Sequence, residues 1–189
     1  MSEIRTITDR IIRQLYGDGG STIRKEVLAG VRAGTSLTSP CARAFWPILM
    51  ENMPNKYLAS TKPTFEEKAE YCAVRLYAIH QQGNDVCIYS NEKSESDTFF
   101  VALKKLRYKF IREKGKDGSK ALDRRIQALL SMSNFDGISN SLVQLEKIGK
   151  ANGFEKIDYS QLAQDLLNLQ YSYESSNGIR LKWGREYFS

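Results

Sequence analysis

Ten basic side chains lie between Thr98 and Arg125: Lys104, Lys105, Arg107, Lys109, Arg112, Lys114, Lys116, Lys120, Arg124 and Arg125. Only Glu113, Asp117 and Asp123 oppose them, so the stretch is net +7 while the remainder of the chain sums to −1. A local field of that sign attracts phosphate or an anionic membrane surface. Helical geometry decides whether the charge forms a usable surface. Phe99, Ala102, Leu103, Leu106 and Phe110 recur at i, i+3, i+4, i+7 and predict a buried stripe. Lys105, Lys109 and Arg112 then share one flank, and Lys104 and Arg107 the other. In the next helix Leu122, Ile126 and Leu129 are expected inside, with Lys120 and Arg124 on the outer face. Arg125 sits beside the stripe, where its stem is expected to pack and its guanidinium to be held in place. Like charges at i, i+4 repel, at about a few tenths of a kcal/mol each, and an anionic partner would offset that. Such contacts fall on phosphates, which position nucleic acid without reading its sequence. One basic helix is ordinarily a solvated face. Two in succession, joined by Lys114-Gly115-Lys116, weigh phosphate binding and solvation about evenly.

Other chemistry finds little support. His80 is the single histidine, with no cysteine or second histidine beside it, and reads as structural. Gly17-Asp18-Gly19-Gly20 is not a phosphate-cradling loop, because no Gly-Lys-Ser/Thr follows. Glu66-Glu67 sit at a helix start, where acids favour the dipole. Asp165 lies beside an apolar stripe and reads as a buried acid paired with an arginine. Tyr57, Tyr71 and Tyr77 read as core rather than as base-stacking platforms. Cys41, Cys72 and Cys87 are odd in number and widely spaced, against a disulfide framework or a zinc site. No enzyme, metal or cofactor is expected.

The elements that must position the basic stretch are helical throughout. Ile4, Ile7, Ile11 and Leu15 mark a helix from Met1 to Leu15, ended by the glycines that follow. Ser21 is the expected cap of a helix running to about Ala33. A loop at Gly34 to Pro40 precedes a short helix from Ala42 to Met50, with Phe45, Trp46 and Leu49 inward. Met53 to Pro63 is expected to be loop. Thr64 and Glu67 match a capping box for a helix to about Gln82. Gly83 to Asp97 shifts in composition, with Val86 to Tyr89 briefly extended, and marks the expected boundary between an N-terminal helical domain (1–90) and a C-terminal helical bundle (91–189). The bundle helices are expected at Asp97 to Arg112, Asp117 to Met132, Ser133 (boxed with Asp136) to Asn152, and Asp158 to Tyr171. A short helix from Ile179 to Tyr187 closes an all-α chain with a four-helix-type bundle.

Composition places this chain among ordinary globular proteins, with 41% hydrophobic and 26% charged residues. The longest apolar run, Phe99 to Leu103, is far too short for a bilayer. Arg5, Arg10 and Arg13 break any apolar leader, and a cytoplasmic setting is expected.

Several segments resemble, in order, the small (CasB-type) subunit of type I-E CRISPR surveillance complexes. They are Leu28-Ala29-Gly30-Val31-Arg32, Trp46, Leu76-Tyr77-Ala78-Ile79-His80-Gln81-Gln82, Asp123-Arg124-Arg125-Ile126-Gln127-Ala128-Leu129-Leu130, Ile157 to Leu166, and Arg180-Leu181-Lys182-Trp183-Gly184-Arg185-Glu186-Tyr187-Phe188. The resemblance implies an all-helical, non-catalytic subunit of a crRNA-containing Cascade assembly. It implies two self-associating copies whose basic surface meets the target DNA and the displaced single strand, stabilising the R-loop. It carries over Arg125 and then Arg32 as DNA-contacting arginines. Glu186 stands where an aspartate is usual, and Ser131 and Val143 stand where some members carry arginine; Lys104, Lys105 and Lys109 are the expected substitutes. Two other readings stay open: a free-standing helical DNA-binding regulator, which needs a recognition helix, and a protein–protein adaptor.

Overall fold

The computed structural model describes residues 2–17 and 23–189, so Ser21 and most of the first glycine loop lie outside it. Ten α-helices are described: α1 (Glu3–Tyr16), α2 (Lys25–Ala33), α3 (Trp46–Asn52), α4 (Asn55–Leu58), α5 (Phe65–Gln81), α6 (Phe99–Lys114), α7 (Lys120–Ser131), α8 (Phe135–Ala151), α9 (Tyr159–Asn168) and α10 (Tyr173–Phe188). A 3-10 segment, Pro40–Phe45, leads into α3. The fold is all-α, as expected. Among the described residues, no helix is long and apolar enough to cross a membrane.

α5 is the pivot. Its start is the predicted capping box: the Glu67 amide donates to Thr64 Oγ1 at 3.2 Å, and the Thr64 amide donates to Glu67 Oε2 at 2.7 Å. From Ala69 to Gln81 every residue is buried, polar ones included. A helix buried all round must be surrounded, and α1, α2, α8 and α9 pack against it. One continuous apolar core therefore joins elements on both sides of residue 90.

The segment between α5 and α6 is stitched down rather than free. Gln81 Nε2 donates to the carbonyls of Asn84 and Val86, while its Oε1 accepts from the Ile88 amide. The extended stretch near Tyr89 makes a parallel bridge to Ile157, and Asp97 makes another. Arg5 of α1 reaches Asp158, the N-cap of α9, at 2.7 Å.

Several local expectations shift. Asn55–Leu58 forms a helical turn inside the expected loop. The cap of α8 is Asn134, which accepts from the Asp136 amide, rather than Ser133. α10 starts six residues before Ile179, because Ser172 caps it through the Ser175 amide at 3.1 Å. Its first turns, Ser-Ser-Asn-Gly, are weak helix formers, and tertiary contact overrides that weakness: Ser176 is buried and the Ser175 hydroxyl donates to Asn168 O at 2.7 Å. The bundle around α6 is completed by this long α10 with α7 and α8, and α9 turns instead to cover α5 and α1.

Candidate nucleic-acid interface

α6 is set by Thr98, whose hydroxyl oxygen caps the Val101 amide and whose proton goes to Glu186 Oε2 at 2.8 Å. Phe99, Ala102, Leu103 and Leu106 are buried as predicted, Phe110 is only partly buried, and Phe100, outside the predicted stripe, is buried as well and stacks on Trp183 of α10 with ring centroids 4.6 Å apart. Gly115, at φ 76, ends the helix in a backbone region that favours glycine. α7 then buries Leu122, Ile126 and Leu129. These two helices carry eight of the nine sequence-predicted phosphate ligands.

The structure divides those eight. Arg107 is clamped to Asp123 at 2.8 Å, with its guanidinium 5.8 Å from the ring centres of Tyr187 and Phe188. Asp123 also accepts from the Tyr187 hydroxyl at 2.7 Å and the Ser119 hydroxyl at 2.9 Å. Burial pushes the Asp123 carboxyl up, but these donors outweigh it and hold the group below its usual value. Lys104 donates to Ser189 O at 3.2 Å. Lys105 pairs with Asp97 at 2.6 Å and lies 4.0 Å from Glu155; the bond it donates to Asp97 raises its pKa. Lys109 donates to Asn152 O at 2.9 Å, a cation on the C-terminus of α8. Lys120 pairs with Asp117 at 2.8 Å.

Arg112, Arg124 and Arg125 are exposed and have no ion pair or hydrogen bond among the described residues. For Arg125 this corrects the expectation that its guanidinium is held. It flanks the stripe, about 60° round the helix from Leu122 and about 40° from Leu129, yet it is exposed to solvent.

Arg32 sits apart from that surface. It donates to Ala78 O at 3.3 Å and, with Arg75 of α5 and Lys147 and Lys150 of α8, lines a groove of about 610 Å³. No acid lines it. Burial lowers the Arg32 pKa, and burial, then the charge of Arg32, lowers that of Lys150. Sequence reasoning missed Arg75, Lys147 and Lys150. The spacing of the two lysines on α8 was the available signal, but Arg75 is embedded in an apolar helix and gave none.

The remaining chemical groups are structural. His80, 2% exposed, contacts the Tyr159 hydroxyl at 2.8 Å, and burial takes its pKa down to about 4. Asp165 is buried but pairs with Lys182 at 2.7 Å and accepts from Trp183 Nε1 at 3.0 Å, so its cation is a lysine rather than the expected arginine. Tyr71 and Tyr77 are core residues, and the Tyr57 hydroxyl donates to Glu3 at 2.6 Å.

A family model described as CRISPR-associated protein Cse2 matches residues 27–188. CasB from Thermobifida fusca shares the fold with a TM-score of 0.72 at 18% identity, covering 100% of this chain and 99% of that one. A Cse2-family protein from Thermus thermophilus does so with a TM-score of 0.65 at 22% identity, covering 100% and 99%. A chain of a CRISPR RNA-guided surveillance complex gives 0.62 at 15% identity, covering 98% and 91%. A search of curated proteins gives no match.

Proposed function

Since the chain belongs to the CRISPR-associated Cse2 family, we propose that it is the non-catalytic small subunit of a crRNA-guided type I-E surveillance complex in antiviral defence. In this reading it contacts the target and displaced DNA strands without sequence preference and stabilises the R-loop, with two copies present in the assembly. The observation that carries the DNA contact is the trio Arg112, Arg124 and Arg125, exposed and unpaired on neighbouring helices. An unpaired exposed arginine can neutralise a backbone phosphate and release the counterion condensed on the nucleic acid there. R-loop formation trades one duplex for another of nearly equal stability, so a few such contacts are enough to tip it. Their lack of base discrimination suits this role, because the guide RNA supplies the sequence.

The test is reconstitution of the crRNA-guided assembly with and without this chain. R-loop lifetime on a matched target should shorten without it, and a version with Arg112, Arg124 and Arg125 all changed to glutamate should behave like the omission. Equal lifetimes with and without the chain would remove the reading.

A further inference from the structure

We propose that Glu146, Tyr159 and His80 form one buried proton-binding site, a hydrogen-bond chain that takes up a proton when the protein folds and ties α8 and α9 to α5. The site lies in the core and is independent of any nucleic-acid contact.

The Tyr159 hydroxyl of α9 lies 2.8 Å from His80 Nδ1 on α5 and 3.0 Å from Glu146 Oε2 on α8. Tyr159 and Glu146 are 0% exposed and His80 2%, so the three groups must satisfy one another. Glu146 Oε1 has no hydrogen-bond partner among the described residues. It is 3.6 Å from His80 Nδ1, too far for a hydrogen bond.

The direction of the chain follows from the far side of the imidazole. Burial lowers the His80 pKa, and a hydrogen bond to the Phe154 backbone opposes that. A bond that favours the protonated ring is one the ring donates. Since Nδ1 faces Tyr159, the donor is Nε2–H. A neutral ring with its proton on Nε2 leaves Nδ1 as an acceptor. The single Tyr159 proton then goes to Nδ1, so Glu146 has to carry its own proton and donate to the phenol oxygen. The alternative, a Glu146 carboxylate opposite a His80 imidazolium, buries two charges and leaves one carboxylate oxygen unbonded, which the core penalises. Burial acts on both groups in the same sense, raising Glu146 to about 8 and lowering His80 to about 4, each towards its neutral form.

Lys150, one turn further along α8, donates to Ile79 O at 2.7 Å and partly opposes the effect of burial on Glu146. Arg32 of α2 acts on Lys150 in turn. Tyr77 of α5 meets the Tyr159 ring edge-on, 6.0 Å between centres. The other charged groups on the surrounding helices are engaged elsewhere: Glu70 with Thr8, Arg75 with Thr35 O, Arg5 with Asp158, Lys109 with Asn152 O, Asp123 with Arg107 and Lys182 with Asp165. In the unfolded chain Glu146 loses its proton above about 4.5 and His80 above about 6.5. Between those values folding moves one proton from histidine to glutamate with no net uptake. From about 6.5 to 8 folding takes a proton up, so the stability the site contributes falls as pH rises through that interval.

The test uses the full chain. His80 is the single histidine, so a nitrogen NMR spectrum of labelled protein contains one imidazole. At pH 7 it should be neutral, with its proton on Nε2. Refolding from urea at pH 7 in unbuffered solution should take up about one proton per chain fewer in Glu146→Gln than in wild type. The glutamine amide can still donate to Tyr159 but does not titrate, and Glu70 is common to both proteins and cancels. A proton on Nδ1, or an imidazolium at pH 7, overturns the proposal. Equal proton uptake by the two proteins also overturns it, because Glu146 is then ionised in the folded state. The imidazole spectrum needs wild type alone, so it decides the matter even where Glu146→Gln does not fold.

Discussion

The guanidinium of Arg107 lies 2.8 Å from the carboxylate of Asp123, and that pair ties α6 to α7. Tyr187 adds a third element by donating to the same carboxylate. An arginine in the most basic part of the chain is thus a brace for three helices. Arg107→Ala should cost about 1.5–3 kcal/mol, the range for hydrogen bonds to charged groups, and leave the salt dependence of nucleic-acid binding near wild type. Asp123 has a depressed folded pKa, so the stability it contributes is present above its unfolded pKa and lost as pH falls through the folded one. Denaturant midpoints of wild type and Asp123→Asn should therefore converge in acid; parallel curves down to the lowest pH would contradict the brace.

The cations of α6 and α7 should separate by experiment as they do by contact. Replacing Arg112, Arg124 and Arg125 with alanine should flatten the salt slope for single-stranded DNA by about 0.7 per arginine that meets a phosphate. The same change at Lys104, Lys105 and Arg107 should lower stability more than it alters the slope. The comparison is a salt titration of binding alongside thermal melts of both triple variants.

Glu70 predicts an unusual pH response. It is fully buried, and burial raises its pKa to about 8 against a slight opposing bond from Thr8. Thr8 Oγ1 has one proton but three oxygen neighbours: Ile4 O at 2.9 Å and the two Glu70 oxygens at 3.0 and 2.9 Å. A protonated Glu70 donating to Thr8, which then donates to Ile4 O, satisfies the hydroxyl, the Ile4 carbonyl and one Glu70 oxygen, whereas an ionised Glu70 would compete with Ile4 O for the single Thr8 proton. The folded state then binds a proton that the unfolded state has lost above the ordinary value of 4.5. Stability should fall as pH rises from about 4.5 to 8. His80 acts oppositely: its depressed pKa adds stability as pH rises from about 4 to 6.5. Urea midpoints measured from pH 5 to 9 should decline less steeply in Glu70→Gln than in wild type.

Gly30 should resist even alanine. A Cβ there would meet the carbonyl of Cys41 in the 3-10 segment packed on α2. Alanine's better helix propensity favours it by about 1 kcal/mol, but backbone overlap of this kind typically costs about 1–3 kcal/mol. Gly30→Ala should lower the melting temperature, and because α2 carries Arg32, oligothymidine binding should weaken with it. An unchanged melting temperature would show that the two segments can part at no cost.

Much of this was written along the chain. The apolar stripes of α1, α6 and α7, the Thr64–Glu67 box and the cationic surplus of 98–125 need only periodicity, hydrogen-bond chemistry and charge, and each is a property of neighbours in sequence. Periodicity fixes where a side chain sits around its own helix, but not what stands opposite. That is why Lys105 could not be seen to pair with Asp97 and Glu155, why Arg125 was expected to be held and is free, and why Asp165 met a lysine. It is also why Arg75 could not be placed. Inside α5 it is one polar residue in an apolar run, and only the packing of α2 and α8 on that helix brings Arg32, Lys147 and Lys150 around it. The sign of the partner's charge was legible in the residues; where that partner sits was decided by which helices face one another.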